Sequence, residues 1–261
     1  MGIAGAAWAT VIGQVVSGIM VILYLRKFKT VKLTKEKLRP HPHYIGRIVS
    51  LGMAPFFNQV SMVVQIVMNN VLIRYGAKSS YGSDIPLACA GIITKINMIF
   101  FAINIGISQG LQPIISYNYG ARKLDRVREA YLKAAISATI ISTVSFICFQ
   151  LFPRQIIGIF GSESEAYFRF AEKFFRIFLF CTFINGLHPI TANFFTAIGK
   201  ANRGIFLSLT RQVIFLLPLM IILPIFFGIE GVMFSAPIAD GFAAVCAITF
   251  AVKELKSFQK L

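Results

Sequence analysis

The 261-residue chain carries 26 Lys and Arg against 10 Asp and Glu, a formal net charge of +16, yet only 14% of its residues are charged and 56% are apolar. Roughly a quarter of the residues in an ordinary soluble domain are charged, so this composition, with a mean hydropathy of +0.72, excludes that class. The basic residues sit in short segments between apolar runs, the pattern of membrane topology, so a lipid bilayer is the expected surrounding and no nucleic-acid partner is expected.

A helix crosses a bilayer with about 20 predominantly apolar residues. Seven segments meet this requirement: 3–25, 48–73, 87–116, 132–152, 168–198, 207–227 and 229–252. No alternating segments of about ten residues suggest a β-barrel. The expected fold is therefore all-α and polytopic, with seven transmembrane helices.

The first segment follows Met1 without a positive leader region and is too long for a signal-peptide core. It ends in a basic loop, 26–47, whose His41 and His43 flank Pro42 with no Cys or carboxylate ligand set beside them; they are expected to be solvated. The second segment carries Asn58, Gln65 and Asn69 at i, i+7 and i+11, one stripe of a helix that can face either a neighbouring helix or a water-filled vestibule. In the third, Lys95 lies about eight residues in, followed by Asn97, Asn104, Gln109 and Gln112. Lys95 can snorkel to the interface or line a cavity; the amides that follow favour the cavity.

The fifth segment is long enough to tilt or project beyond the bilayer. The sixth and seventh are split only by Phe227-Gly228, which predicts a tight hairpin. Asp240 lies about eleven residues into the last segment, roughly 16 Å deep at 1.5 Å per residue. A carboxyl group there is either a proton-exchanging site or a hydrogen-bonded tie between helices. Pro55, Pro113, Pro189, Pro218, Pro224 and Pro237 mark possible bends. Cys89, Cys148, Cys181 and Cys246 lie in or beside apolar runs without C-x-x-C spacing and read as buried small hydrophobes.

Nineteen of the 26 basic residues fall on one side of this arrangement, in 26–47, 122–133, 200–211 (Lys200, Arg203, Arg211) and the tail. That side is expected to be cytoplasmic, with Leu261 inside and Met1 outside. The first and last helices also match at an offset of 226, Gly2, Ile3, Gly5, Ile12, Ile22 and Lys27 against Gly228, Ile229, Gly231, Ile238, Ile248 and Lys253. Parallel repeats are a transporter architecture. On this reading residues 1–25 are the last helix of a first half, 26–47 the link, 48–252 a complete six-helix half and 253–261 a tail. The missing half is then a partner. No Walker A, G-x-S-x-G or H-E-x-x-H motif is present, so no enzyme, metal or cofactor is expected.

The run Gly106-Ile107-Ser108-Gln109-Gly110-Leu111-Gln112-Pro113, continuing through Tyr117-Asn118-Tyr119-Gly120-Ala121-Arg122 to Asp125-Arg126, is the most specific feature. It resembles a signature of the multidrug and toxic compound extrusion (MATE) family. Ala54-Pro55-Phe56-Phe57, Asn69-Asn70-Val71-Leu72, Arg211-Gln212-Val213 with Leu217-Pro218, and Ala236-Pro237-Ile238-Ala239-Asp240 look like the same family, in the same order. The resemblance implies a twelve-helix antiporter of two six-helix lobes in the cell membrane. Such a protein exports organic cations and drugs in exchange for H+ or Na+ as its lobes rock.

Where some members of that family carry a coupling glutamate, this chain has Asn58; where others carry an aspartate, it has Leu187 beside His188. The residues expected along the transport path are Asn58, Gln65, Asn69, Lys95, Asn97, Gln109 and Asp240. A lipid-linked oligosaccharide flippase of the same architecture, or a fragment that transports nothing, is the alternative.

Overall fold

In a computed structural model the described residues are 3–26, 42, 45–46, 48–49, 52–53, 56, 61–79, 81–160 and 164–258. The chain divides into two units, 1–46 and 47–261. In the first, α1 (Ile3–Arg26) is a continuous 24-residue helix with an apolar stretch over Ala7–Tyr24.

The second unit is a helical bundle. Its elements are α2 (Ser61–Gly76), α3 (Asp84–Gly120), α4 (Leu124–Leu151), α5 (Pro153–Gly158), α6 (Glu165–Phe178), α7 (Thr182–Asn185), α8 (Leu187–Ala197) and α9 (Ala201–Leu209). A π-helical segment (Thr210–Leu216), α10 (Leu217–Phe227) and α11 (Ile229–Phe258) complete it. Among the described residues five helices or helix runs are long and apolar enough to span a membrane, six if one bent pair is a single span. Within the second predicted span the continuous described helix is Ser61–Gly76; the described residues before it, 48–49, 52–53 and 56, are helical too.

Helices outrun their apolar stretches where charged residues are good helix formers. Thus α4 begins at Leu124 rather than 132, its first turns carrying the Glu129–Lys133 pair at 2.7 Å, and α11 continues to Phe258 rather than 252. The motif from Gly106 to Gly120 does not interrupt α3. This 37-residue helix passes through Pro113 and stops at the turn around Arg122, which takes a left-handed conformation (φ 56°).

The fifth predicted span departs from expectation. It is not one helix: α6 ends at Phe178, and the run resumes at Thr182 bent by 44°. The break falls at Leu179-Phe180-Cys181, ten residues before Pro189, which sits in the first turn of α8, where proline costs little. At Phe227-Gly228 the predicted hairpin is present. Gly228 has φ 58° and ψ −138°, a backbone that only glycine adopts without strain. Three residues on, a Cβ at Gly231 would stand 2.4 Å from the carbonyl carbon of Leu223, so α10 and α11 meet backbone to backbone.

The core has two apolar clusters. One gathers Val64, Met68 and Leu72 of α2, Ile93 and Phe100 of α3, Phe149 of α4, the phenylalanines of α6, and Val232, Met233 and Ala239 of α11. The other gathers Leu111 and Ile115 of α3, Tyr131 to Ala138 of α4, Ile190 and Phe194 of α8, Leu207 of α9, and Ala247 to Phe258 of α11. On each long element the change from one cluster to the other is marked by buried polar residues. These are Asn104 and Ser108 on α3, Ser142 on α4, Asn185 and His188 at the break, Ser208 to Arg211, and Asp240 on α11. A polar layer therefore crosses the bundle between two greasy halves. Of the four cysteines only Cys89 is buried; Cys148 is exposed, and Cys181 and Cys246 are half-buried, Cys246 packing against the second cluster from its edge.

Candidate functional site

The polar layer is organised by Asp240. Its neighbours Ala236, Ala239, Ala243 and Ala244 are all buried, so small side chains let other helices approach it. Asn185, last residue of α7, donates Nδ2 to Asp240 Oδ2 at 2.7 Å; Arg211 donates Nε to Oδ1 at 2.6 Å. Carboxyl, amide and guanidinium are all buried, at 4%, 4% and 6% exposure. The Arg211 guanidinium also lies over the Phe101 ring, 4.8 Å from its centroid, an aromatic face that stabilises a desolvated cation.

Local backbone irregularities deliver these groups. Leu217 N–H bonds to Gln212 O across the widened π turn, immediately before Pro218, which has no N–H to give. A π turn shifts the side-chain register, and such turns often mark functional sites. Here it carries Thr210 and Arg211 inward. On the other side the α6–α7 break frees Asn185 to turn toward α11.

The layer continues toward the second cluster. His188 Nε2 donates to the Leu207 carbonyl at 2.7 Å. Thr191 donates to Leu187 O and so accepts from the buried Tyr131 hydroxyl at 2.9 Å. Ser108 donates to Pro189 O, and Asn193 donates to Ser108 Oγ, tying α3 to α8. Three buried oxygens, on Asn97, Asn104 and Ser142, have no hydrogen-bond partner among the described residues. Two of them face Gly186, where a Cβ would stand 2.4 Å from Ser142 Oγ and 2.6 Å from Asn104 Oδ1. Gly186 is thus the close-approach point of the broken helix, its Cα–H packed against both oxygens.

The sequence-predicted residues distribute unevenly. Asn58 lies outside the described residues, as do His41 and His43. Gln65 and Asn69 are half-buried and bonded to each other at 3.2 Å. Lys95 and Gln109 are exposed on α3, on the face that also shows Ile99, Ala102, Gly106, Gly110, Pro113 and Tyr117, with Met98 at its margin, while Asn97 is half-buried. Asp240 is in the polar layer, away from that face. Arg211 corrects the topology count: rather than a solvated flank residue it is buried and ion-paired. The neighbouring basic residues do stay at the helix ends, where Lys200 and Arg203 clasp the buried Glu254. Sequence reasoning missed Arg211 and Asn185 as partners of Asp240. The available signal was Arg211's place ten residues into an unbroken helical run.

The MatE family model matches residues 59–222, well over half of the chain. The chain belongs to the MatE family. Among curated proteins, multidrug export protein MepA of Staphylococcus aureus is 24% identical over 250 residues, covering 95% of this chain and 53% of that protein. The Staphylococcus saprophyticus protein of the same name gives the same identity and coverage. This MatE chain thus spans about half the length of the curated relatives it matches.

Among solved structures, an outward-facing multidrug resistance MATE family transporter of the MOP superfamily superposes with a TM-score of 0.85 at 20% identity, covering 100% of this chain and 58% of that one. A MOP superfamily transporter from Pyrococcus furiosus, described as having a binding pocket of reversed polarity, gives 0.84 at 20% identity, with the same coverage. These likenesses establish the fold: an all-α, multi-pass membrane protein of the MATE type.

Proposed function

We propose that this MatE chain supplies one six-helix lobe, residues 48–252, and one helix of the other lobe, residues 1–25, to a secondary active multidrug antiporter. Residues 26–47 link the lobes and 253–261 form a cytoplasmic tail. The antiporter exports organic cations or drugs in exchange for H+ or Na+ across the cell membrane, its lobes rocking around a shared path. The observation that carries this reading is the buried Arg211–Asp240–Asn185 centre in the polar layer. Ionisable groups held inside a membrane bundle are the default candidates for ion coupling, and this one sits where two packed halves of the lobe meet. The exposed α3 face with Lys95 and Gln109 is the complementary candidate for the substrate path. The names of the curated relatives favour drug export over the oligosaccharide flippase.

The test is transport of ethidium in vesicles containing the protein together with the complementary lobe, with an imposed proton gradient, an imposed sodium gradient, or neither. The reading predicts ethidium movement that requires one of the two gradients and is lost in Asp240→Asn. Ethidium movement independent of both gradients would overturn ion-coupled antiport. No movement at all with both lobes present would overturn the reading as well.

A further inference from the structure

We propose that the groove between α4, α6 and α11 is a binding site for one anionic phospholipid, with its phosphate on Arg176 and an acyl chain in the apolar pocket beneath. The pocket, of about 450 Å3, is lined by Gln150, Arg176, Ile177, Phe180, Phe234, Pro237 and Ile238. That volume lies within the range of about 300–1,000 Å3 usual for small-molecule sites. Apart from Gln150 and Arg176 its walls are apolar.

Three observations select the ligand. The first is charge. A shallow groove adjoining the pocket is lined by Arg169, Glu172, Lys173 and Arg176. Lys173 is engaged by Glu230 at 2.5 Å and Glu172 by Arg154 at 3.7 Å. Arg169 has no ion pair within 4 Å among the described residues but faces the charge of Glu165, whereas Arg176 has no carboxylate partner there, so the groove offers the Arg176 guanidinium to an anion. Guanidinium matches a phosphate with paired donors.

The second is depth. Glu230 lies in the first turn of α11, and Phe234 and Ile238 follow four and eight residues later, roughly 6 and 12 Å further in. Lys173, one turn before Arg176 on α6, pairs with Glu230, and a helical side chain leans toward its own N-terminus, so a headgroup on Arg176 lies near the start of α11 and its acyl chain reaches the Phe234 and Ile238 walls.

The third is orientation. The exposed stripe of α11 runs Phe234, Ile238, Phe242, Val245, Ile248 and Val252, and that of α4 runs Ile136, Ile140, Val144, Ile147 and Leu151. Neither stripe carries a charge, in contrast with the Lys95–Gln109 face of α3. The groove thus opens between two faces suited to lipid. Gln150 fixes its rim by donating Nε2 to the Arg176 carbonyl at 3.0 Å. This end of α11 lies opposite the cytoplasmic tail, so the site takes a lipid of the outer leaflet.

A tryptophan reporter tests this. Ile238→Trp is made in a Trp8→Phe background and the protein is reconstituted in vesicles doped with brominated phosphatidylglycerol or brominated phosphatidylcholine at equal mole fraction. The proposal predicts about fivefold tighter quenching by the phosphatidylglycerol. That preference is lost in Arg176→Gln and kept in part in Arg176→Lys. Phe234→Trp provides a second reporter should the first substitution impair folding. Equal quenching by both lipids, or an unchanged preference in Arg176→Gln, would overturn the proposal. Quenching by neither would also overturn it, since another protein segment or a second copy would then cover the groove.

Discussion

Asp240 and Arg211 are each tolerable only because of the other. A buried ion pair need not stabilise a fold, but removing one member strands the other charge, at a cost of about 3–5 kcal/mol. Asp240→Asn is therefore expected to lower the thermal unfolding temperature of the purified protein sharply, as is Arg211→Gln. Replacing both with apolar groups of similar size, Asp240→Leu with Arg211→Met, is expected to recover most of that stability. The double variant also separates the roles of the pair. If Asp240 couples transport, the variant folds but moves no ethidium; if the pair only ties α11 to the π turn, transport recovers with stability. Part of this was legible from the sequence: Asp240 stands out as one carboxyl in a long apolar run. Its partners did not, because Arg211 is 29 residues away and follows a basic segment that masks it, and because Asn185 reaches Asp240 only through a helix break.

Among the elements, the hairpin from α10 to α11 was readable because a glycine between two apolar runs has few other uses. The break between α6 and α7 was not, since Leu179-Phe180-Cys181 holds neither proline nor glycine and Pro189 drew attention further along. The bend instead reflects tertiary packing, with the strongly two-faced α6 burying Phe170, Phe174, Phe175 and Phe178 and showing Arg169, Lys173 and Arg176 outward.

Gly231→Ala is expected to cost about 1–3 kcal/mol, as overpacking does, because the added carbon meets the Leu223 backbone rather than a movable side chain; thermal unfolding reads the loss. Glu254, 2% exposed between Lys200 and Arg203, ties the turn before α9 to the end of α11. Glu254→Gln is expected to destabilise the protein measurably, whereas Glu129→Gln, which breaks a pair with both members more than half exposed, shifts unfolding by less than about 1 kcal/mol. Equal effects from the two would contradict the tie.

For the whole molecule, the class follows from apolar length and charge asymmetry, and the family from the order of short motifs. The layering of the bundle was hidden, because two apolar clusters with a polar seam appear only when helices far apart in sequence are stacked. Removing Arg211 from the basic tally leaves the asymmetry strong, so a reporter fused after Leu261 is expected to be cytoplasmic and a tag at Met1 to face the opposite side. Both tags on one side would contradict the seven-span topology.

The central claim is that the lobe has a wet face on α3 and lipid-facing flanks on α4 and α11, with substrate passing along the first. Single cysteines at Lys95, Gln109, Ile140 and Val245, in a protein otherwise free of cysteine, test it through labelling by a membrane-impermeant maleimide with and without ethidium. The account predicts labelling at Lys95→Cys and Gln109→Cys that ethidium slows, and none at Ile140→Cys or Val245→Cys. Labelling of the α4 and α11 positions with the α3 positions silent would contradict it.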